Sequence, residues 1–414
     1  MYLGRKGIKP SSSSSLLLHP SALVVSPTRL RIGSSASRST PYKSQAHYDL
    51  LPSTTMHYFA SLFITIIFLI SLAQLSFAAA LPVRRDDATT DGHRGSNPGS
   101  GPQPKKCGTL LKRREWRMLE DDEKREYISA VQCLMSKPAQ NPPIKEAKTR
   151  FDEFQAYHIT IANDVHVTGE FLPWHRQMVK SYENALRNEC GYSGAQPYWD
   201  WTLDTDTPET FFASPIFDPE TGFGGNGVPG TYTLPPFGDD SRINATAFLG
   251  CVGDGPFKDY QLSLGPGKLV TTHCLTRGIE PANRIYLNEA AVKNTTRLPT
   301  YEQFRIELEG EPITPTHKLH DGGHAVVGGD MSNFFSSPGD PIFYLHHANL
   351  DRTWWHWQSM KSSRLYEISG YTTVDPPYTN VTLDYLLEMG TIGDTVPIRD
   401  VMDIHSEPNC YTYV

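Results

Sequence analysis

The chain has fifteen histidines in 414 residues, and nine of them fall in two groups. The first group is His158, His166 and His175; the second is His317, His320, His324, His346, His347 and His356. In "LHDGGH", His320 and His324 stand four apart, on one face of a helix. In "PIFYLHHANLDRTWWHWQ", Pro341 to Gln358, His346 and His347 are neighbours, which a helix turns about 100° from one another, so the two cannot serve one site in the same way. A single histidine on an apolar face is ordinarily a packed, hydrogen-bonded core residue. Six on helical faces are different, because burying so many titratable rings without a metal leaves many donors to satisfy. Imidazole-only sites suit copper, zinc, iron or nickel, and the scarcity of carboxylates argues against magnesium, calcium and manganese. A zinc protease of the H-E-x-x-H type needs a Glu after its first histidine; here the pair encloses Asp321, Gly322 and Gly323, which disfavours zinc hydrolysis. Two three-histidine sets facing one another would hold two metals and leave open positions between them, a geometry for a diatomic ligand. That favours two copper ions with dioxygen.

Helices must carry these residues. "REWRMLEDDEKREYISAVQCLM" has helical spacing, with Trp116, Leu119, Tyr127, Val131 and Leu134 recurring among charges. A second helix is expected over about 145–162, with Phe151, Phe154 and His158 on its apolar face. A third should begin near Pro173 and run to Gly191. Helical signal returns over Tyr301 to Gly310, and again after Asp340, a plausible N-cap followed by the first-turn residue Pro341. Between Thr202 and Gly267 the chain is dense in Gly, Pro and Asp and reads as long loops. The fold class expected is mainly α, with strands confined to loops and the C-terminal tail. One internal echo stands out: "FLPWHR" and "FYLHHA" each place a Phe, Phe171 or Phe343, four residues before a His near the start of a Pro-opened helix. It hints at two similar half-sites.

Charge is unevenly spread. Up to Lys106 there are 12 Lys+Arg against 4 Asp+Glu, leaving 26 against 41, a net −15, for 107–414. So acidic a body excludes nucleic-acid binding, which needs clustered Lys and Arg. The uncharged run "YFASLFITIIFLISLAQLSFAAAL", residues 58–81, ends in the small residues a signal peptidase needs. Residues 56–80 read as a signal peptide and 1–55 as a Ser-rich extension or a mis-assigned start; a signal-anchor is the competing reading. Residues 81–106 read as a linker or pro-segment before a catalytic domain at 107–414. Either way that domain is expected to be exported: secreted with no membrane contact once the signal is cleaved, or signal-anchored with the catalytic domain outside or lumenal. Six cysteines and sequons at Asn244, Asn294 and Asn380 agree with export. Cys251 and Cys274, flanking a Gly/Pro-rich loop, are expected to pair; Cys107, Cys133, Cys190 and Cys410 allow three connectivities.

The runs "FLPWHR", "AQPYWDWT", "FRIELEG", "HDGGHAVVGGDM", "SPGDPIFYLHHANLDRTWWHWQ" and the terminal "YTY" resemble those of tyrosinases and catechol oxidases, the type-3 dicopper phenol oxidases. The resemblance spans essentially 107–414. It implies a four-helix bundle gripping two coppers, one held by His158, His166 and His175 and the other by His320, His324 and His347. It further implies oxidation of o-diphenols to o-quinones by dioxygen, with monophenols and o-aminophenols left open. A tailoring oxidase acting on a larger phenolic metabolite, a non-catalytic dicopper oxygen carrier and a metal-free secreted glycoprotein are the alternatives.

Other residues take expected roles beside this set. Asp351, four after His347, is a candidate acceptor orienting a ligand ring, its alternative being an arginine salt bridge. His346 is expected to be buried support, His317 and His356 structural or exposed, and Trp354 and Trp357 core. By resemblance, Glu309 matches a Glu that helps hold the water taking a phenol proton. The accompanying Asn position is Asp321 here, so Glu309 and Asp321 are the candidate proton handlers. Asp164 occupies the position of a cysteine that some relatives crosslink to a histidine, so no thioether is expected. The chain ends just after "YTY", where longer relatives continue into a lid domain; a short form needing no proteolytic activation is expected.

Overall fold

A computed structural model of the protein describes residues 105–414, Asp239 excepted. The readings made for 1–104, including the signal run and most of the linker, lie outside the described residues. Among the described residues no helix is long and apolar enough to cross a membrane.

The fold is mainly helical. Helix α1 (Asp121–Ser136) opens on a capping box between Glu120 and Glu123, with three acids in its first turn facing the positive helix end. Helix α2 (Arg150–Val165) starts five residues later than expected, because Thr149 and Asp152 close a capping box there: the Thr149 hydroxyl accepts from Asp152 N at 3.0 Å, and Asp152 Oδ2 from Thr149 N at 3.1 Å. Helix α3 (Phe171–Cys190) starts two residues before Pro173, which sits in the first turn, where a missing N–H costs nothing. Gly191, at φ 72°, ends it in the left-handed conformation. Helices α4 (Tyr301–Glu309), α5 (Leu319–Val327) and α6 (Ile342–Ser359) follow, beside shorter helices at Pro208–Phe212, Glu289–Thr296 and Ile398–Met402. Asp340 still serves the start of α6, Oδ1 accepting from Ile342 N at 3.0 Å, while its carboxylate also grips buried Arg277.

The histidine-bearing helices pack in sequence, α2 on α3, α3 on α6 and α6 on α5. Tyr182 of α3 and Tyr344 of α6 stack at 3.5 Å between ring centroids at their shared core. Trp354 and Trp357 are fully buried, and Trp357 Nε1 donates to Leu298 O at 2.8 Å. Among the described residues the strands are short, and all the sheets are two-stranded. Most are antiparallel ladders in the loop region; β1 (Leu111–Arg113) and β2 (Tyr411–Tyr413) instead pair in parallel, joining the two ends of the domain. Disulfides link Cys107 to Cys410 beside that pair, Cys133 to Cys190 between α1 and α3, and Cys251 to Cys274 in the loops.

Candidate metal centre

Two buried histidine triads form where the four helices meet. In each, His158–His166–His175 and His320–His324–His347, the ligand nitrogens all lie within 4.8 Å of one another. Helix α2 carries His158 and ends at His166, α3 carries His175, α5 carries His320 and His324, and α6 carries His347. The triads face each other ring to ring: His175 stacks on His347 at 4.6 Å, and His166 lies 5.7 Å from His320. Phe171 touches His166 and His175 of one triad and His320 of the other, while Phe343 touches His324 and His347 and reaches His158. The internal echo in the sequence thus corresponds to two phenylalanines placed alike about the centre.

The second ring nitrogen sets the chemistry. Nδ1 of His158 faces Phe335 O at 2.6 Å, His166 faces Ala162 O at 2.8 Å, His175 faces Phe171 O at 2.8 Å, His320 faces Glu309 O at 3.1 Å and His324 faces Met331 O at 2.7 Å. A carbonyl only accepts, so each of these Nδ1 atoms carries the proton and each Nε2 presents a lone pair inward. Nε2 of His158, His175 and His320 is buried with no hydrogen-bond partner, and Nε2 of His324 and His347 lie 3.2 Å apart. Orphaned buried lone pairs on neutral imidazoles are what a metal cation satisfies, so the residues fit a copper pair. Burial also keeps the rings neutral: it pushes His158 and His324 down to about 4, and His166, His175, His320 and His347 well below the usual histidine range.

His346 points away from the centre. Its Nδ1 accepts from Trp201 Nε1 at 3.0 Å and its Nε2 donates to His320 O at 3.0 Å, so both nitrogens are spent on structure. A Cβ at position 323 would run into this ring, which accounts for Gly323 between the two α5 histidines. His356 is exposed, and half-buried His317 bonds Asp321 Oδ2 at 2.5 Å, which raises its pKa.

Asp351 requires a correction. Among the described residues its carboxylate bonds no histidine: Oδ1 accepts from Arg176 Nε at 2.5 Å, and Oδ2 from Arg113 at 3.4 Å and from the hydroxyls of Tyr411 and Tyr413 at 2.6 and 2.5 Å. Two buried arginines and the β2 tyrosines outcompete a neutral imidazole for a buried carboxylate. Five of the six ligand rings, those of His158, His166, His175, His320 and His324, are oriented by backbone carbonyls, which leave no side-chain signature.

Glu309 and Asp321 both line a cavity of about 1260 Å³ that opens over the triads, with His166, His320 and Phe334 among its walls. Glu309 Oε1 accepts from Val167 N at 2.5 Å and Oε2 from Arg305 Nη1 at 2.7 Å. Burial raises the carboxyl to about 7 against the lowering effects of Arg305 and the Val167 amide. Asp321 Oδ1 caps α5 by accepting from Lys318 N at 2.7 Å. Sequence reading missed Phe334, whose ring lies 4.6 Å from His166, and the strained Val167, a β-branched residue at φ 67°. Neither has a signal in spacing, although Val167 follows a histidine directly.

Two buried, facing histidine triads on a helical core are the hallmark of the type-3 dicopper class. The comparisons with known proteins narrow this. Residues 148–360 match the family model described as the common central domain of tyrosinase. The chain is 36% identical over 339 residues to the tyrosinase-like protein phomQ1 of Diaporthe leptostromiformis, covering 75% of this chain and 79% of that one. It is 34% identical to an N-acetyl-6-hydroxytryptophan oxidase of Emericella nidulans, covering 73% and 91%. A solved polyphenol oxidase from Thermothelomyces thermophila superposes with a TM-score of 0.65 at 34% identity, covering 74% of this chain and 89% of that one. The chain belongs to the tyrosinase family and is an oxidoreductase of the tyrosinase type.

Proposed function

We propose that the protein oxidises o-diphenols to o-quinones with dioxygen, holding one copper through His158, His166 and His175 and the other through His320, His324 and His347. The observation that carries this reading is the set of buried, unpartnered Nε2 atoms on His158, His175 and His320, beside a cavity lined by His166, His320 and His324. When bound, a copper pair supplies the two-electron exchange between dioxygen and phenol. The protein supplies the rest. The carbonyls on Nδ1 hold five of the six rings neutral and aimed, and the burial of the rings excludes water from beneath the substrate. Glu309, poised near neutrality, takes the phenol proton at its carboxylate and returns it to solvent through the cavity. Asp321 is a positioning residue whose negative charge helps keep Glu309 basic.

A cavity of about 1260 Å³ also suits a phenol larger than catechol, as does the relative named for an N-acylated hydroxytryptophan. A tailoring role on such a metabolite is the second reading. We further propose that the domain at 107–414 is exported behind the signal run at 56–80.

The test is oxygen consumption by copper-loaded protein with catechol and with a matched monophenol, repeated on Asp321→Asn. Catechol turnover is expected. Asp321→Asn should retain both coppers and change the monophenol rate by roughly tenfold or more, within the range of general-base effects. An unchanged monophenol rate would sink the proton-handling assignment, and full copper with no turnover on any phenol would leave an oxygen-binding protein.

A further inference from the structure

We infer that Asn244 is an N-glycosylation site whose sugar chain screens the mouth of the copper cavity and limits the size of phenol that enters. This rests on the exported reading above. Among the three sequons, Asn244-Ala-Thr246 alone has residues lining the cavity: Arg242, Asn244, Thr246 and Leu249 form one wall, and His166 and His320 lie within. Asn244 is exposed and caps a short turn at Ala245–Ala247; its Oδ1 accepts from Thr246 N at 3.2 Å and from the Thr246 hydroxyl at 2.7 Å. Its Nδ2, the atom that receives sugar, has no hydrogen-bond partner among the described residues. Asn294, by contrast, stands on the helix Glu289–Thr296, where the Thr296 hydroxyl is buried and donates to Val292 O at 2.9 Å. Asn380 is paired across an isolated bridge to Tyr371, off the cavity wall.

The wall that carries Asn244 is fixed rather than loose. The Arg242 guanidinium lies 4.3 Å over Phe334 and 5.0 Å over Phe335, and its carbonyl accepts from Asn333 Nδ2 at 3.2 Å. Ile243, the next residue, is buried. A sugar chain attached one residue farther on cannot swing clear with its backbone. The step itself joins Asn244 Nδ2 to the first sugar carbon, breaking that carbon's bond to a lipid pyrophosphate carrier while the amide loses one proton. The product adds a bulky, hydrated chain at the cavity mouth. Small phenols pass it, and phenols carried on large molecules are slowed.

The experiment uses full-length protein secreted from a eukaryotic host and loaded with copper. Peptide mapping after enzymatic deglycosylation should find Asn244 converted to Asp. Asn244→Gln, Thr246→Ala and enzymatically deglycosylated wild type should each raise kcat/KM for a catechol tethered to a soluble polymer by roughly fivefold, while free catechol changes by less than about twofold. Sugar at Asn294 or Asn380 with none at Asn244 overturns the inference, as does a polymer-to-free ratio that deglycosylation leaves unmoved. Absence of sugar at all three sites overturns the inference, whereas failure of the chain to leave the cell refutes the exported reading on which it rests.

Discussion

The two halves of the copper centre are alike in ligand count and opposite in how their rings are held. In the first, His166 and His175 donate to carbonyls four residues back in the same helical segment, and only His158 reaches across the fold. In the second, His320 and His324 use carbonyls 11 and 7 residues away, outside their own helix, and His346 braces the His320 carbonyl from behind. Local helix geometry therefore orients most of the first half, and tertiary packing orients the second. Glu309 joins them: its carbonyl accepts from His320 Nδ1, and its carboxylate accepts from the amide of Val167, which is held in a strained conformation next to His166. A disturbance at Glu309 reaches both metals through two different atoms of one residue.

The comparison can be broken most directly at the ligands. His347→Ala and His175→Ala should each lower bound copper from two to about one or fewer per chain, because a two-histidine remnant is a poor site. Copper analysis after dialysis reads this, and full retention in either variant would end the symmetric picture.

Acid provides the next largest effect, and it should treat the halves equally. His158 in the first half and His324 in the second are held down at about 4 by burial, so the unfolded chain binds protons more readily below its own value of about 6.5. Stability of the copper-free protein is therefore intact above about 6.5 and falls as pH drops toward 4, by about 2 kcal/mol per histidine at pH 5. Urea midpoints at pH 7.5 and 5 measure the loss; a flat profile contradicts neutral burial. Copper, which needs the same neutral rings, should leave over the same interval.

The smallest effect separates the halves. His346→Ala should keep both coppers yet cost about 1–3 kcal/mol, since Trp201 Nε1 and the His320 carbonyl each lose a buried partner. Any spectral change should appear in the second half alone. Copper loss equal to that of His347→Ala would mean the adjacent histidines act as one unit.

Much of this was legible in the sequence, and what was not has a physical reason. The i, i+4 spacing of "HDGGH" and the paired phenylalanines exposed both half-sites because ligand geometry on a helix repeats with the helix. Asp351 misled because the same spacing places it on the His347 face, while its partners Arg113 and Arg176 arrive from 238 and 175 residues away. The orienting carbonyls of Phe335, Met331 and Glu309 left no mark because any residue type supplies one. The start of α2 was missed for a nearer reason: the Thr149–Asp152 capping box lies inside what reads as a continuous helical pattern.

The clasp between Cys107–Cys410 and the parallel strands β1 and β2 bears on force. A pull applied across the two ends of the domain travels from one cysteine to the other through sulfur, and the copper-bearing helices between them carry none of the load. In a reducing medium the same pull passes to the strand pair. Parallel strands drawn in opposite directions resist in shear, with every ladder bond loaded at once. The domain is thus secured twice at one seam, covalently and then by hydrogen bonds, before any tension reaches the metal site.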